Sequence, residues 1–167
     1  MSDLKQYPKY EAYKDSCVEW LGEIPKGWEL KALKYIAYME SGSTIAPENF
    51  TEEGFPVFGG NGFRGYTDSF TNDGTYVLIG RQGALCGNVN YADGQFFASE
   101  HAIVVYPLKN ENVTWLGEAI RIADFNRLSQ SAAQPGIAVN ILCTRQNFFI
   151  VAHGPVLPSR QMYIELI

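Results

Sequence analysis

The chain has no apolar run approaching the ~20 residues that cross a bilayer, and its opening MSDLKQYPKYEAYKDS has no apolar core of a signal peptide. A membrane span and a secreted destination are therefore not expected, and the cytoplasm is the expected compartment. Cysteine is scarce: Cys17, Cys86 and Cys143 are odd in number and far apart, with no C-x-x-C pair. That pattern excludes a thiol-redox motif and a zinc ribbon and predicts reduced thiols. The two histidines, His101 and His153, make no H-E-x-x-H or other spacing that sets two ligands on one helical face, so no protein-built metal site is expected. Charge is thin, at 19% of residues with a net of -5. An acidic balance counts against strong unaided binding to duplex DNA, whose affinity comes largely from neutralised phosphates.

The distribution of charge softens that objection. From Phe125 to Arg160 there is no acidic residue, while Arg127, Arg145 and Arg160 fall there; from Gly54 to Tyr66 the only charge is Arg64. The acids cluster between Glu11 and Glu29 and between Glu40 and Glu53. Taken alone, this is equally an ordinary scatter of surface charge. What the chain does have is apolar and aromatic content, 46% and 14%, which argues for a packed core rather than disorder. Its 167 residues suit one domain able to bury roughly 70% of the unfolded surface.

Along the chain, Tyr7 to Trp28 is turn-rich and aromatic, with Gly22, Pro25 and Gly27 preventing a long helix, so an ordered arm is expected. Leu30, Leu33, Ile36 and Ala37 recur at helical spacing and predict a short helix over Glu29 to Tyr38, with a strand from Tyr35 as the competing reading. Short β runs then follow, FPVFG, TYVLIG, NVNYA, QFFA and AIVVY, each closed by Gly, Asn, Asp or Pro. A helix is predicted from Val113 to about Asn126, from the stripe Trp115, Leu116, Ala119, Ile120 and Ala123, with Asn112 as N-cap. FFIVA at 148 to 152 reads as a strand, and Ser159 to Ile167 as the opening of a helix. The expectation is a single α+β domain over 1–167, β-rich with a small helical portion.

Gly60, Gly62 and Gly65 form a literal G-x-G-x-x-G after the strand FPVFG, but a dinucleotide site needs a helix next, and YTDSFTNDG is a turn sequence leading to another strand. Gly80, Gly83 and Gly87 lack the G-K-[ST] ending of a phosphate loop. These glycines serve tight turns. The side chains they carry are of more interest: Asn61, Phe63, Arg64 and Tyr66 in one expected turn, and Arg81 and Gln82 in another, can meet base edges or phosphates. Nucleophilic catalysis through Cys86, Ser99 and His101 has no local support, since no G-x-S-x-G elbow is present and Ser99 to His101 runs straight into AIVVY. His101 reads as a packed or loop-bonded residue.

Five ordered blocks carry a family resemblance: YKDSCVEWLGEIPKGWELKALKYI, FPVFGGNGFRGY (55–66), YVLIGRQGALCGNV (76–89), ASEHAIVVYP (98–107) and SQSAAQPGIAVNIL (129–142). Their order resembles a single target recognition domain of the specificity subunit of type I restriction-modification systems. Cys17 departs from it, standing where glycine is frequent, and so does Arg160, standing where Glu is common.

The resemblance implies a β-rich, non-catalytic domain with no cofactor of its own that reads one half of a bipartite site in double-stranded DNA. The implied partners are a methyltransferase (modification) subunit, which would use S-adenosylmethionine, and through the complex a restriction subunit. A second copy or a second recognition domain would supply the other half-site. By position in matching loops the candidate DNA-binding residues are Asn61, Arg64, Arg81, Gln82, Ser129, Gln130 and Gln134. The competing role for each is a turn residue bonding its own loop. Trp20, Trp28 and the Trp115 helix are expected in core or partner contacts. A docking module for the methyltransferase that reads no DNA is the alternative function.

Overall fold

The computed structural model describes residues 10–18, 21–83, 86–109, 111–128 and 149–152. In chain order the elements are β1 (Tyr13–Asp15), β2 (Glu23–Pro25), β3 (Glu29–Ala32), β4 (Ala37–Ser41), β5 (Phe55–Gly59), β6 (Gly62–Thr67), β7 (Asn72–Asp73), β8 (Tyr76–Gly80), β9 (Val89–Ala92), β10 (Gln95–Ala98), β11 (Ala102–Pro107), α1 (Val113–Ile122) and β12 (Phe149–Ala152). Short 3-10 turns cover Leu33–Tyr35, Pro47–Asn49 and Phe125–Leu128. The α+β expectation holds, with strands dominating and α1 as the α-helix of the described residues.

The centre is an antiparallel sheet in the order β4-β11-β8-β9. Its strands are apolar at consecutive positions because both faces are covered, and side chains alternate between the faces with period two. Val77, Ile79, Ile103 and Val105 face α1, where they pack with Trp115, Leu116, Ala119 and Ile120. Leu78 and Val104 point the other way, onto Phe96 and Ala98 of β10. That strand belongs to a second, mixed sheet ordered β6-β5-β10-β7, in which β10 runs parallel to β5. The layers are therefore helix, sheet, sheet. Each fully buried Leu or Ile in them contributes roughly 1.5–3 kcal/mol.

Asn112 caps α1 as the sequence predicts, its Oδ1 accepting from the Trp115 amide at 2.9 Å. The helix ends at Ile122, before the expected Asn126, and a 3-10 turn takes over after Asp124 turns left-handed at φ 45.

The helix expected over Glu29 to Tyr38 is absent. Leu30 lies on β3 and Ala37 on β4, joined by the turn Leu33–Tyr35. A 3-10 turn repeats every three residues, so it sends Leu33 and Ile36 into the same core and imitates helical spacing. The competing strand reading is close to the β4 observed.

The N-terminal arm is a β1-β2 hairpin, with Ile24 and Trp28 buried together beside Tyr10, Leu21 and Leu30. Cys17 adopts φ 58, in the left-handed region where a Cβ is strained. That conformation explains physically why glycine suits this position. The expected strand near 148–152 is β12, paired antiparallel with β3. Trp20, Cys143, His153 and the expected helix start at Ser159 to Ile167 lie outside the described residues.

Candidate nucleic-acid interface

Two segments converge at one end of the sheets. The first is the β5-β6 hairpin, whose flanking pair Gly59↔Gly62 leaves Gly60 and Asn61 as the turn. A Cβ on Gly60 would sit 3.0 Å from the His101 carbonyl and 3.5 Å from Gly80 Cα, so glycine is what lets the hairpin lie against the end of β8 and the 99–101 turn. The second segment is the turn after β8, where the Arg81 amide donates to the His101 carbonyl at 2.9 Å. Between them lies an open cleft of about 470 Å³ lined by Gly60, Asn61, Gly62, Phe63, Arg64, Gln82, Gly83 and His101.

One part of the sequence reading is corrected here. Phe63, Arg64 and Tyr66 do not sit in a turn: they lie on β6, an edge strand, and only Asn61 occupies the turn. The register with β5 shifts between Val57 and Phe58, an irregularity of the bulge type that sharpens strand twist and re-aims side chains. Phe63 and Tyr66 remain exposed on this edge with their rings edge to face at 5.0 Å. No helix follows the glycines, so the dinucleotide reading fails on geometry as the sequence implied.

Two contacts restrain the Arg64 guanidinium. Nη1 reaches the buried Ser99 Oγ at 3.4 Å, and the planar group lies over the Phe50 ring at 5.7 Å. Asn61 Oδ1 accepts from Asn88 Nδ2 at 3.2 Å, which turns its amide N–H2 toward other partners. The Gln82 carboxamide lies 3.1 Å from His101 Nδ1, and His101 Nε2 lies 3.2 Å from Glu100 Oε1.

Asn61, Arg64 and Gln82 thus share the cleft, whereas Arg81 does not line it. Arg81 is half-buried, its Nη1 donating to Ser41 Oγ at 2.8 Å and to the Glu100 carbonyl at 3.5 Å. Ser129, Gln130 and Gln134 lie outside the described residues. Sequence reasoning did not pick out Phe50, Asn88 or Glu100, each of which holds a cleft residue. Glu100 and His101 stand in the block ASEHAIVVYP, so their signal lay in the resemblance rather than in any spacing.

The chemistry assembled is that of hydrogen-bonding recognition. Cys86 is buried, donates to the Arg81 carbonyl at 3.3 Å, and has its thiol pushed up in pKa by that burial, the opposite of an activated nucleophile. Ser99 is committed to Arg64 and His101 to Gln82 and Glu100, so the three do not form a relay. Among the described residues no group of three or more His, Cys, Asp or Glu is placed to hold a metal, and no helix is long and apolar enough to cross a membrane.

Comparison with known proteins agrees with this architecture. The chain is 37% identical over 166 residues to the type I restriction enzyme EcoprrI specificity subunit of Escherichia coli, covering 95% of this chain and 39% of that protein. It therefore spans well under half of that curated relative. Among solved structures, the S subunit of a type I restriction-modification system from M. genitalium superposes with TM-score 0.64 at 20% identity, over 75% of this chain and 34% of that one. The HsdS subunit from Thermoanaerobacter tengcongensis does so with TM-score 0.60 at 18% identity, over 86% and 37%. At such identities the structures establish a shared fold. A family model, the type I restriction modification DNA specificity domain, matches residues 25–143. By that match and by the relative's identity, this chain belongs to the type I restriction modification DNA specificity domain family.

Proposed function

We propose that the domain reads one half of a bipartite duplex DNA target through the cleft between the β5-β6 hairpin and the turn after β8, without performing chemistry itself. It acts in the cytoplasm as one recognition domain and presents its half-site to a methyltransferase subunit and, through the complex, to a restriction subunit. The observation that carries this reading is the convergence of Asn61, Arg64 and Gln82 on one open cleft of a family domain, their polar ends held by Asn88, by Ser99 and Phe50, and by His101. Donors and acceptors set on a rigid β scaffold suit the major groove, where all four base pairs present distinct patterns.

Arg81 belongs to this site as the residue that anchors the Gln82 turn. Ser129, Gln130 and Gln134 are proposed as further contacts from the acid-free stretch after Phe125. With a net charge of -5 the domain binds weakly alone, and its partner supplies most phosphate contacts.

The test is selection from a randomised duplex library on the purified 167-residue chain, at low and then higher salt. An enriched motif of a few base pairs that persists at higher salt supports a half-site reader. Uniform or absent binding, both alone and with the methyltransferase subunit, overturns it in favour of a docking module.

A further inference from the structure

We propose that Phe63 is a specificity residue of the cleft, reading one thymine of the half-site by packing its ring against the C5-methyl group in the major groove. The inference rests on the cleft being a base-reading face.

Its basis is one extra residue in β6. Val57 pairs with Gly65 and the next residue, Phe58, pairs with Phe63, so Arg64 has no counterpart on β5 and forms the bulge. In an unbroken strand neighbouring side chains leave on opposite faces, and so do those three apart. Here Phe63 and Arg64 both line the cleft, and Phe63 meets the Tyr66 ring edge to face at 5.0 Å. The inserted residue thus re-aims Phe63 and sets an apolar ring beside a charged fork. Gly59 makes room for this arrangement, since a Cβ there would run into the Arg64 stem.

Phe63 is 55% exposed, so more than half of its surface is open to a ligand while Tyr66 braces one side. The side chains around it, Asn61, Arg64 and Gln82, are polar, and among the described residues that line the cleft none is Asp or Glu. One apolar ring in a polar, acid-free lining matches a hydrogen-bonding, electronegative surface that carries isolated apolar points. The major-groove edge of duplex DNA is such a surface, and its apolar group is the C5-methyl of thymine. Cytosine lacks that methyl, and purines set an N7 acceptor toward the groove instead. Covering one methyl group is worth roughly fourfold in affinity.

The experiment replaces each thymine of the selected duplex, one at a time, by deoxyuridine, which removes only the C5-methyl. Competition binding is measured on the 167-residue chain, with its methyltransferase subunit where binding requires it. Wild type loses roughly fourfold in affinity at one thymine. Phe63→Ala weakens binding to the unmodified duplex by a similar factor and is indifferent to deoxyuridine at that same position. The two changes together therefore cost no more than either alone. The deoxyuridine series on wild type needs no variant, so it carries the test even where Phe63→Ala perturbs folding.

A motif in which no thymine responds to deoxyuridine overturns the inference. So does a methyl effect that persists in Phe63→Ala, or an equal loss by that variant on every sequence. A Phe63→Ala chain that binds DNA unchanged but loses the methyltransferase subunit overturns it in favour of a docking residue. Each of these outcomes leaves the half-site reading standing, because the motif remains. Absence of any enriched motif, alone and with the methyltransferase subunit, overturns the half-site reading and the inference with it.

Discussion

The guanidinium of Arg64 lies over the ring of Phe50 at 5.7 Å, which restrains the one charged group between Gly54 and Tyr66. A restrained planar fork can pair with two acceptors on one base edge, which a freely rotating side chain does less selectively. Arg64→Ala is expected to reduce discrimination at a single base position by about 1–3 kcal/mol, read by competition between duplexes differing in one base pair. Phe50→Ala should give a smaller loss of about 0.5–1 kcal/mol. An even loss on every sequence, with the salt slope reduced by about 1, would make Arg64 a phosphate contact instead.

Arg81 has the opposite character. It ties Ser41 on β4 and the Glu100 carbonyl to the start of the Gln82 turn. Arg81→Ala should cost about 1–2 kcal/mol of stability, seen as a lower midpoint in urea, since a hydrogen bond from a charged donor is lost. A variant of unchanged midpoint that loses preference at one base would instead make Arg81 a base reader.

Gly117 sits mid-helix in α1, where alanine ordinarily stabilises by about 1 kcal/mol. A Cβ there would run into the ring and hydroxyl of Tyr91, well inside contact distance. Tyr91 cannot move freely, because its hydroxyl donates to Glu118 Oε1 at 2.8 Å and lies 3.1 Å from the Thr114 carbonyl. Gly117→Ala is therefore expected to destabilise by about 1–3 kcal/mol despite the helical gain, through overpacking. Denaturant unfolding reads the sign directly, and a stabilised variant would show that α1 stands further from β9 than described.

Tyr91 also makes stability fall in alkali. Burial first, and then the hydrogen bond to Glu118, raise its pKa above the ordinary tyrosine value. Above about pH 10 the unfolded chain has released this proton while the folded one retains it. The unfolded state then binds fewer protons, so stability drops as pH rises through that range and is fully present below it. Tyr106 is pushed the same way, chiefly by burial. Tyr91→Phe should flatten part of the alkaline decline in the unfolding midpoint, and an unchanged profile would contradict the assignment.

The strands β5, β8, β9, β10 and β11 were legible because each is a short apolar run closed by a turn residue, and α1 because Asn112 opens a clean apolar stripe; β6 and β7, GFRGYT and ND, carry no such run and read as turn. The corner from β3 to β4 was not, since Leu33 and Ile36 satisfy a 3-10 turn and a helix equally well over so short a span. At the cleft, Asn61, Arg64 and Gln82 stood out as polar side chains among glycines. Their partners did not: Ser99 is 35 residues from Arg64, and His101 is 19 from Gln82. Only the layering of the two sheets, and the close approach at Gly60, bring those residues together.

The most direct measurement is amide hydrogen exchange of the 167-residue chain, free and bound to duplex DNA, at low salt. Slowed exchange concentrated at 60–64, 81–83 and 101, with the β1-β2 hairpin unchanged, is the result this account predicts. Protection that leaves the cleft unchanged and falls on the hairpin or on α1 would contradict the claim that the cleft is the DNA-reading face.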